Sequence, residues 1–376
     1  MSTIGSTTAP STHTIYYDSL LSTTLMKYRK TMQDNIFKSS AFLAALRQYG
    51  GIEMVDGGER IAQPLMFEKN DTFRSYKGYE QLSVVPQDGM TTAYFPWTEI
   101  GGTITISRLE ERQNSGESAL LKLLEKKIMQ AEMSAKEKVN RQLIEGTLSS
   151  NTFIPGNDAK DLLPLGYFLR KLNATDPTTG GNPGNIATAT YAWWRHNTAT
   201  LDSTTKETGN CFAKNVSTFV GLKLALRAMY NWCSRGADGS GPNLIVMDQQ
   251  LYETYEAALD VNVRYTDTKL ADMGFDNIKM KGATCIWDEL VPNIEDGYLA
   301  SDSAYATSAK QCTAFFLNTK FYKLCIDSQT DFVTTPFVEP ENQTAKTAKI
   351  LFMGQATVSN MRKLGVVYAL SSAIVA

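Results

Sequence analysis

Apolar residues change their spacing several times along this chain, and each change marks an element. Between Asp18 and Leu46, Leu20, Leu21, Leu25, Met26, Ile36, Phe37, Phe42, Leu43 and Leu46 recur three and four positions apart, with breaks around 31–35 and 39–40. That is a helical period, and Gly50-Gly51 ends it. From Gly57 to Ser107 the period shortens to two. An outgoing arm at about Arg60–Glu68 and a return arm at Thr91–Thr98 flank a turn-rich tip, KGYEQLSVVPQDG. In the return arm Ala93, Phe95 and Trp97 alternate with Tyr94, Pro96 and Thr98, as in a strand. Pro64 and Pro96 place both arms at sheet edges, because proline has no N–H to donate to a ladder.

The strongest helical signal runs from about Glu117 to Gly146, with Leu120, Leu124, Ile128, Ala131, Ala135 and Val139 on one stripe. Glu132–Lys136 and Glu137–Arg141 are acid-before-base pairs four apart, which suit an exposed face. At 1.5 Å per residue such a helix is a spine of about 40 Å. Residues 150–215 are loop-rich, with the turn cluster TDPTTGGNPGN and the aromatic run YAWWR. A second amphipathic helix follows from Val216 to Cys233, then a turn, RGADGSGPN, and a short buried strand, Leu244–Met247. Asp248 is placed to cap a helix reaching Leu259. Gly274 to Pro292 alternates like strands, and AFFLN, FYKLCI, DFVTTPFV, KILFMGQATVSN and LGVVYAL make the C-terminal part β-rich. The class is α+β, a helix-and-strand body with an inserted α/β unit.

Composition narrows the function. The 376 residues are 43% hydrophobic and 20% charged, ordinary for a globular chain with a real core. The net charge of -2 leaves no basic excess with which to grip a nucleic-acid backbone. Five cysteines, none spaced C-x-x-C, argue against a disulfide framework or a zinc site and for buried free thiols. The N-terminus has neither a basic start nor an apolar run, and no stretch is long and apolar enough to span a bilayer. A soluble protein made in a cytoplasm is expected.

Catalytic patterns are scarce. The two histidines, His13 and His196, lie in a polar arm and behind two tryptophans, and His196 reads as a packing or surface residue. No G-x-S-x-G elbow, Walker loop or G-x-G-x-x-G after a strand occurs. GADGSGPN precedes a strand, so it reads as a surface turn and not a phosphate cradle. Asp260, Asp267 and Asp272 match no calcium loop. Trp193-Trp194 reads as packing or interface aromatics before a stacking platform. No catalytic residue, cofactor site or metal site is assigned.

The excursion at 57–107 needs another explanation. It carries Phe67, Phe73, Tyr76, Tyr79, Tyr94, Phe95 and Trp97 with too little apolar sequence to fold on itself. A lone two-stranded ribbon is marginal in water, and aromatics exposed on one form a patch that marks an interface. The ribbon is therefore expected to lie on a neighbouring subunit. Heterologous contacts whose rotations close make a ring or shell.

The order of parts is a polar arm, a helix ending FLAALRQYGG, an extended loop with IAQPLMFEKND, a spine helix, an α/β unit around NLIVMDQQLYETYEAAL and terminal strands ending RKLGVVYAL. This resembles the major capsid proteins of tailed bacteriophages, the Hong Kong 97-type fold, over nearly the whole chain from about Asp34. The resemblance implies an N-terminal arm with short helices (1–56), an extended β ribbon called the E-loop (57–106), a P-domain with the spine helix and a sheet (107–199), an inserted α/β A-domain (200–312) and C-terminal P-domain strands (313–376). It implies hexamers and pentamers closing into an icosahedral shell around a double-stranded DNA genome, with A-domains at their centres. Phe67, Phe73, Tyr76, Lys77, Tyr79, Tyr94 and Trp97 would be E-loop contacts to the next subunit. Arg108, Glu110, Glu111 and Arg112, at the spine root, would pair with neighbouring P-domains. The implied partners are copies of the chain, a scaffolding protein, a portal, and packaged DNA held by weak non-specific contact, with no membrane. The implied location is a virion assembled in a bacterial cytoplasm. Only a short polar arm precedes the first helix, so a separate scaffolding protein is expected. An encapsulin-like nanocompartment shares this fold and would enclose an enzyme. A tail-tube or surface-lattice protein and an α/β hydrolase with a β appendage are the other readings.

Overall fold

A computed structural model describes residues 41–113, 123–144, 147–149, 152–154, 160–169, 182–188, 190–200, 211–213, 219–236, 239–259, 278–291, 311–341 and 343–370. The polar arm, most of the first expected helix, His13, residues 114–122 and Asp260, Asp267 and Asp272 lie outside them.

Two sheets form the body, beside a short hairpin of β5 (Thr147–Ser149) and β6 (Thr152–Ile154). Strands β1 (Ile52–Val55), β4 (Thr98–Ser107), β13 (Tyr322–Asp327), β14 (Val333–Thr334) and β15 (Ala345–Val358) make a five-stranded sheet. The fourteen residues of β15 span about 45 Å. β15 pairs antiparallel with β4 from Ala345–Ser107 to Gly354–Thr98, and with β13 from Tyr322–Val358 to Ile326–Gly354. Strands β7 (Asn197–Thr200), β8 (Cys211–Ala213), β9 (Leu244–Met247), β10 (Ile278–Met280), β11 (Ala283–Trp287), β12 (Gln311–Leu317) and β16 (Gly365–Leu370) make a seven-stranded mixed sheet in the order β10-β11-β9-β12-β16-β7-β8. The expected division at 312/313 therefore runs through β12. This strand and β16 hydrogen-bond into the sheet of β9 instead of the other sheet.

The strand period sorts the seven-stranded sheet into two interfaces. Leu244, Val246, Phe315, Leu317 and Val366 point into the core shared with the rest of the body. Ile245, Met247, Ala314, Phe316 and Val367 point the other way. They pack under α5 (Phe219–Cys233) and α6 (Gln249–Ala258), the helices expected from the sequence. Asp248 caps α6 as anticipated, its side chain accepting from the Gln250 N–H. Four fully buried apolar residues in β9 are what a strand covered on both faces requires.

Of the expected spine, residues 123–144 are described. A six-residue helix, α2 (Arg108–Gln113), follows β4, and α3 runs over Leu123–Ile144, about 33 Å long. The expected stripe sinks along α3: Ile128, Ala131 and Ala135 are half-buried, whereas Val139, Leu143 and Ile144 are in the core. That buried end meets α1 (Ala41–Gln48), whose Phe42 and Leu46 are fully buried. The N-terminus of α1 is held by Asp288, which has no exposed surface and accepts from the Phe42 N–H at 3.1 Å and the Leu290 N–H at 3.0 Å.

The ribbon consists of β2 (Arg60–Met66) and β3 (Met90–Pro96), antiparallel from Arg60–Pro96 to Met66–Met90. The Phe67 N–H donates to the Gly89 carbonyl at 3.0 Å just beyond it. Hydrogen-bonded and non-bonded pairs alternate, so Pro64–Thr92 and Arg60–Pro96 fall at non-bonded sites. Neither proline removes a ladder bond. The inward face of the ribbon packs on its own chain, a correction to the expected exposure: Ile61, Leu65, Ala93 and Phe95 are buried. Phe95 lies 6.1 Å from the Phe168 ring of α4 (Leu165–Phe168). The turn Pro183–Asn185 sits against it, where Gly184 has φ +66 and a Cβ would come within 2.6 Å of the Ala93 Cβ. Replacing Gly184 with Ala combines left-handed strain with that clash. It is expected to destabilise the fold by about 2 kcal/mol, read as a lower midpoint of thermal unfolding. An unchanged midpoint would show that the ribbon base shifts freely.

Candidate assembly surface

Beyond the ribbon, residues 67–89 run without helix or strand. Local polar contacts shape this tip. The Asn70 side-chain oxygen accepts from the Thr72 N–H and hydroxyl at 2.9 and 2.5 Å. The Arg74 guanidinium donates to the Gln81 carbonyl. Gly78 takes φ +59 in the turn where the Glu80 N–H reaches the Lys77 carbonyl. Apolar groups face outward along it: Phe73 is 86% exposed, Tyr76 62% and Val84 94%, and Tyr79, Leu82 and Val85 are exposed as well. Lys77 is exposed among them. On the ribbon, Tyr94, Met66 and Met90 extend the same apolar character along the outward face. Exposed apolar groups clustered on one projection are unfavourable in water unless another surface covers them.

Phe67 and Trp97 stand apart from this group. Both are half-buried. Phe67 stacks on Trp193 with centroids 5.3 Å apart and planes 20° from parallel. Trp97 packs against the main core. Phe67 anchors the start of the tip to the body, and Trp97 the opposite end of the ribbon. Trp194 is buried and its indole N–H donates to the Pro183 carbonyl at 2.8 Å, fixing the short turn that presents Trp193. Packing of the pair agrees with the sequence pattern, whereas the Phe67–Trp193 stack joins residues too far apart for local pattern to show.

At the spine root the four charged residues share one helix, and Arg112 and Arg108 act on Glu111. Ser107 and Glu110 form a reciprocal capping box: the Ser107 N–H donates to Glu110 Oε2 at 3.2 Å, and the Glu110 N–H to Ser107 Oγ at 3.1 Å. Glu110 also accepts from Lys127 at 2.9 Å, and Glu111 from Lys346 at 2.8 Å. The Lys127 hydrogen bond holds the Glu110 carboxyl below the usual range against the opposing effect of burial, and the Lys346 hydrogen bond does the same for Glu111. Both acids thus have partners within the chain. Arg108 and Arg112 are exposed.

Reaction chemistry finds little support among the described residues. They hold no group of three metal-ligating side chains. His196 is buried, matching its expected packing role. Cys233, Cys285 and Cys325 are buried free thiols. Burial pushes Cys233 up to about 12, far from thiolate reactivity, and raises Cys285 and Cys325 too. An open groove of about 440 Å³ between α3 and β4 is lined by glycines, threonines, aliphatic side chains, Phe352 and two lysines, with no carboxylate among its described lining residues. No described helix is long and apolar enough to cross a membrane.

No family model and no curated protein matches the chain. Solved structures do. The chain is similar to the Cyanophage A-1(L) capsid asymmetric unit, with a TM-score of 0.58 and 13% identity over 93% of this chain and 98% of that one. It is similar to the capsid of a native GTA particle, with a TM-score of 0.53 and 12% identity over 93% and 96%. It is similar to the capsid of Myoviridae Phage XM1, with a TM-score of 0.52 and 11% identity over 92% and 97%. The chain has the fold of phage capsid proteins over most of its length.

Proposed function

We propose that this chain is the major capsid protein of a tailed double-stranded DNA bacteriophage, with Hong Kong 97-type organisation, and that it assembles through hexamers and pentamers into an icosahedral shell. The observation that carries the reading is the projecting tip at 67–89. It exposes Phe73, Tyr76, Tyr79, Leu82, Val84 and Val85 among polar residues, it has no covering element among the described residues, and its base is clamped to the body by Phe67 on Trp193. A projection that is anchored at one end and apolar at the other is suited to lie across a second copy. The capsid fold supports the same reading.

In this reading 57–106 is the E-loop and α3 the spine of the P-domain. The helices α5 and α6 with β9 and β11 form the A-domain, which shares its sheet with β7, β12 and β16. Phe73, Tyr76, Lys77, Tyr79 and Tyr94 meet the next subunit, and Phe67 and Trp97 support them from behind. Arg108, Glu110, Glu111 and Arg112 form the proposed charged contact of the spine root with neighbouring P-domains. The protein acts as a container and not as an enzyme. A scaffolding protein, a portal and loosely held DNA are its proposed partners, and the virion assembled in the host cytoplasm its location.

Electron microscopy of the purified chain, alone and co-expressed with its scaffolding partner, tests this. Closed shells support it. Tubes or sheets would replace it with a tail or surface-lattice role, and shells loaded with an enzyme would make it an encapsulin-like compartment. A monomer under both conditions would overturn it.

A further inference from the structure

Four aspartates in the chain stand directly before a glycine: Asp56, Asp88, Asp238 and Asp296. That order invites a side reaction of the backbone, because a following glycine has no Cβ to shield its amide nitrogen. Asp56 and Asp88 lie among the described residues, and the fold treats them differently. The Asp56 carboxyl accepts a hydrogen bond from the Ser328 hydroxyl, which ties it to the turn after β13. Asp88 is exposed at the return end of the tip, outside any helix or strand, and among the described residues nothing bonds its carboxyl. We infer that Asp88–Gly89 is a site of spontaneous isoaspartate formation in the free chain.

The nucleophile is available as well. Phe67 and Gly89 continue the register of the ribbon as its last rung, and a full rung of this type carries two bonds. One is made: the Phe67 N–H donates to the Gly89 carbonyl at 3.0 Å, while among the described residues the Gly89 N–H has no acceptor. Its nitrogen is free to attack the Asp88 side-chain carbon. The new C–N bond closes a succinimide ring as the carboxylic C–OH bond breaks, and the hydroxyl leaves with the amide proton as water. A second water then opens the ring at the former main-chain carbonyl. Its hydroxyl goes to that carbon, the bond from that carbon to nitrogen breaks, and its proton goes to nitrogen. A hollow of about 350 Å³, lined by Glu68, Lys69, Asn70, Asp88 and Gly89 among others, keeps the ring open to solvent for this step.

The product routes the main chain through the former side chain, one carbon longer, and leaves the old main-chain carboxyl as a short branch. Its position gives it an effect. Gly89 holds the last rung, and Phe67, across that rung, stacks on Trp193. An added carbon at 88 displaces the return limb of the tip relative to this clamp and weakens the rung. Under the proposed function an unassembled subunit loses its contact surface with age, and that consequence rests on the capsid reading. The chemistry does not, since it needs no second copy.

Incubation of the purified full chain in neutral buffer over weeks tests the inference. Peptide mapping by mass spectrometry and enzymatic methylation of isoaspartyl carboxyls read the product at each aspartate. Isoaspartate is expected to accumulate at 88 several-fold faster than at 56. The two rates are expected to converge in denaturant, where Ser328 no longer holds Asp56. Asp88→Glu keeps the charge and is expected to abolish the signal at 88, because the larger ring closes far more slowly. Asp88→Asn is expected to raise it, with ammonia leaving in place of water. Hydrogen exchange at the Phe67 amide is expected to be faster in the modified fraction than in fresh chain, and unchanged in incubated Asp88→Glu. Absence of isoaspartate at 88, or equal rates at both sites in the folded chain, would overturn the inference. Equal exchange at Phe67 in modified and fresh chain would overturn the weakening of the rung. A chain that isomerises at 88 and forms no shells would remove the capsid reading and leave the site standing.

Discussion

Tyr76→Ala combined with Lys77→Glu is expected to abolish shell formation and leave a folded, soluble subunit. Both side chains are exposed. The Lys77 carbonyl accepts a weak turn bond from Glu80, but that contact is made by the backbone and survives both changes. Exposed substitutions of this kind change the stability of a single chain by about 0.5 kcal/mol or less. At an interface the expectation differs. A buried tyrosine anchor is worth about 2 kcal/mol or more, and a reversed charge adds repulsion wherever Lys77 faces an acid. The loss is repeated at every subunit contact of a closed shell, so a modest change per contact becomes a failure of assembly. Sedimentation velocity and electron microscopy of wild type and variant under the same conditions make the comparison. Shells of normal size and yield from the double variant would remove the tip from the assembly surface. Loss of the folded monomer would show instead that the tip supports its own chain.

The second large effect is expected inside the body. Asp288→Ala removes the acceptor of the Phe42 and Leu290 N–H groups at a site with no solvent access. Orphaned buried donors cost about 1–3 kcal/mol each, so a destabilisation of about 3 kcal/mol or more is expected, with α1 loosening first. Asp288 also gives stability a pH dependence. Burial raises its carboxyl above the ordinary aspartate value, and the Leu290 and Phe42 N–H groups and the Asn140 side chain oppose that rise. An acid raised in the folded state binds its proton more tightly there than when unfolded. Its contribution is therefore fully present below the unfolded value, near 3.9, and is lost as pH climbs through the raised value. Asp288→Asn removes this component. Denaturant unfolding of wild type and Asp288→Asn across the acidic range should give curves that diverge with rising pH, the wild type losing stability relative to the variant. Parallel curves would show that the carboxyl titrates as an ordinary aspartate.

Much of the body is legible in local pattern because its determinants are local. Four consecutive apolar residues before Asp248 mark β9 and the capped helix after it, and both lie where the pattern puts them. The ribbon arms fall within two residues of their expected ends, since alternation and proline positions are read along the strand itself. What local pattern does not contain is the surface each face meets. Alternation groups Ala93 with Phe95 and Trp97, but the direction of that face is set by Phe168 and Gly184, far along the chain. Glu110 and Glu111 suit a helix start from sequence alone, yet Lys346, the partner of Glu111, is 235 positions away. The sheet membership of β12 and β16 is likewise a matter of long-range pairing. Tyr76, Lys77 and Tyr79 read as surface residues in both views. The interface proposed for them is a property of a second molecule, which no single chain contains.

Pro64 and Pro96 have a consequence for the chain before it meets any partner. Each strand of a two-stranded ribbon has an open outer edge, and an open edge can template unwanted strand pairing when many copies are made together. The register turns the N positions of both prolines toward those outer edges, one on each strand. Each edge therefore lacks a donor where an incoming strand would need one, at no loss to the ribbon's own ladder. Each edge is thereby a poorer template for an incoming strand, while the ribbon keeps its own ladder intact.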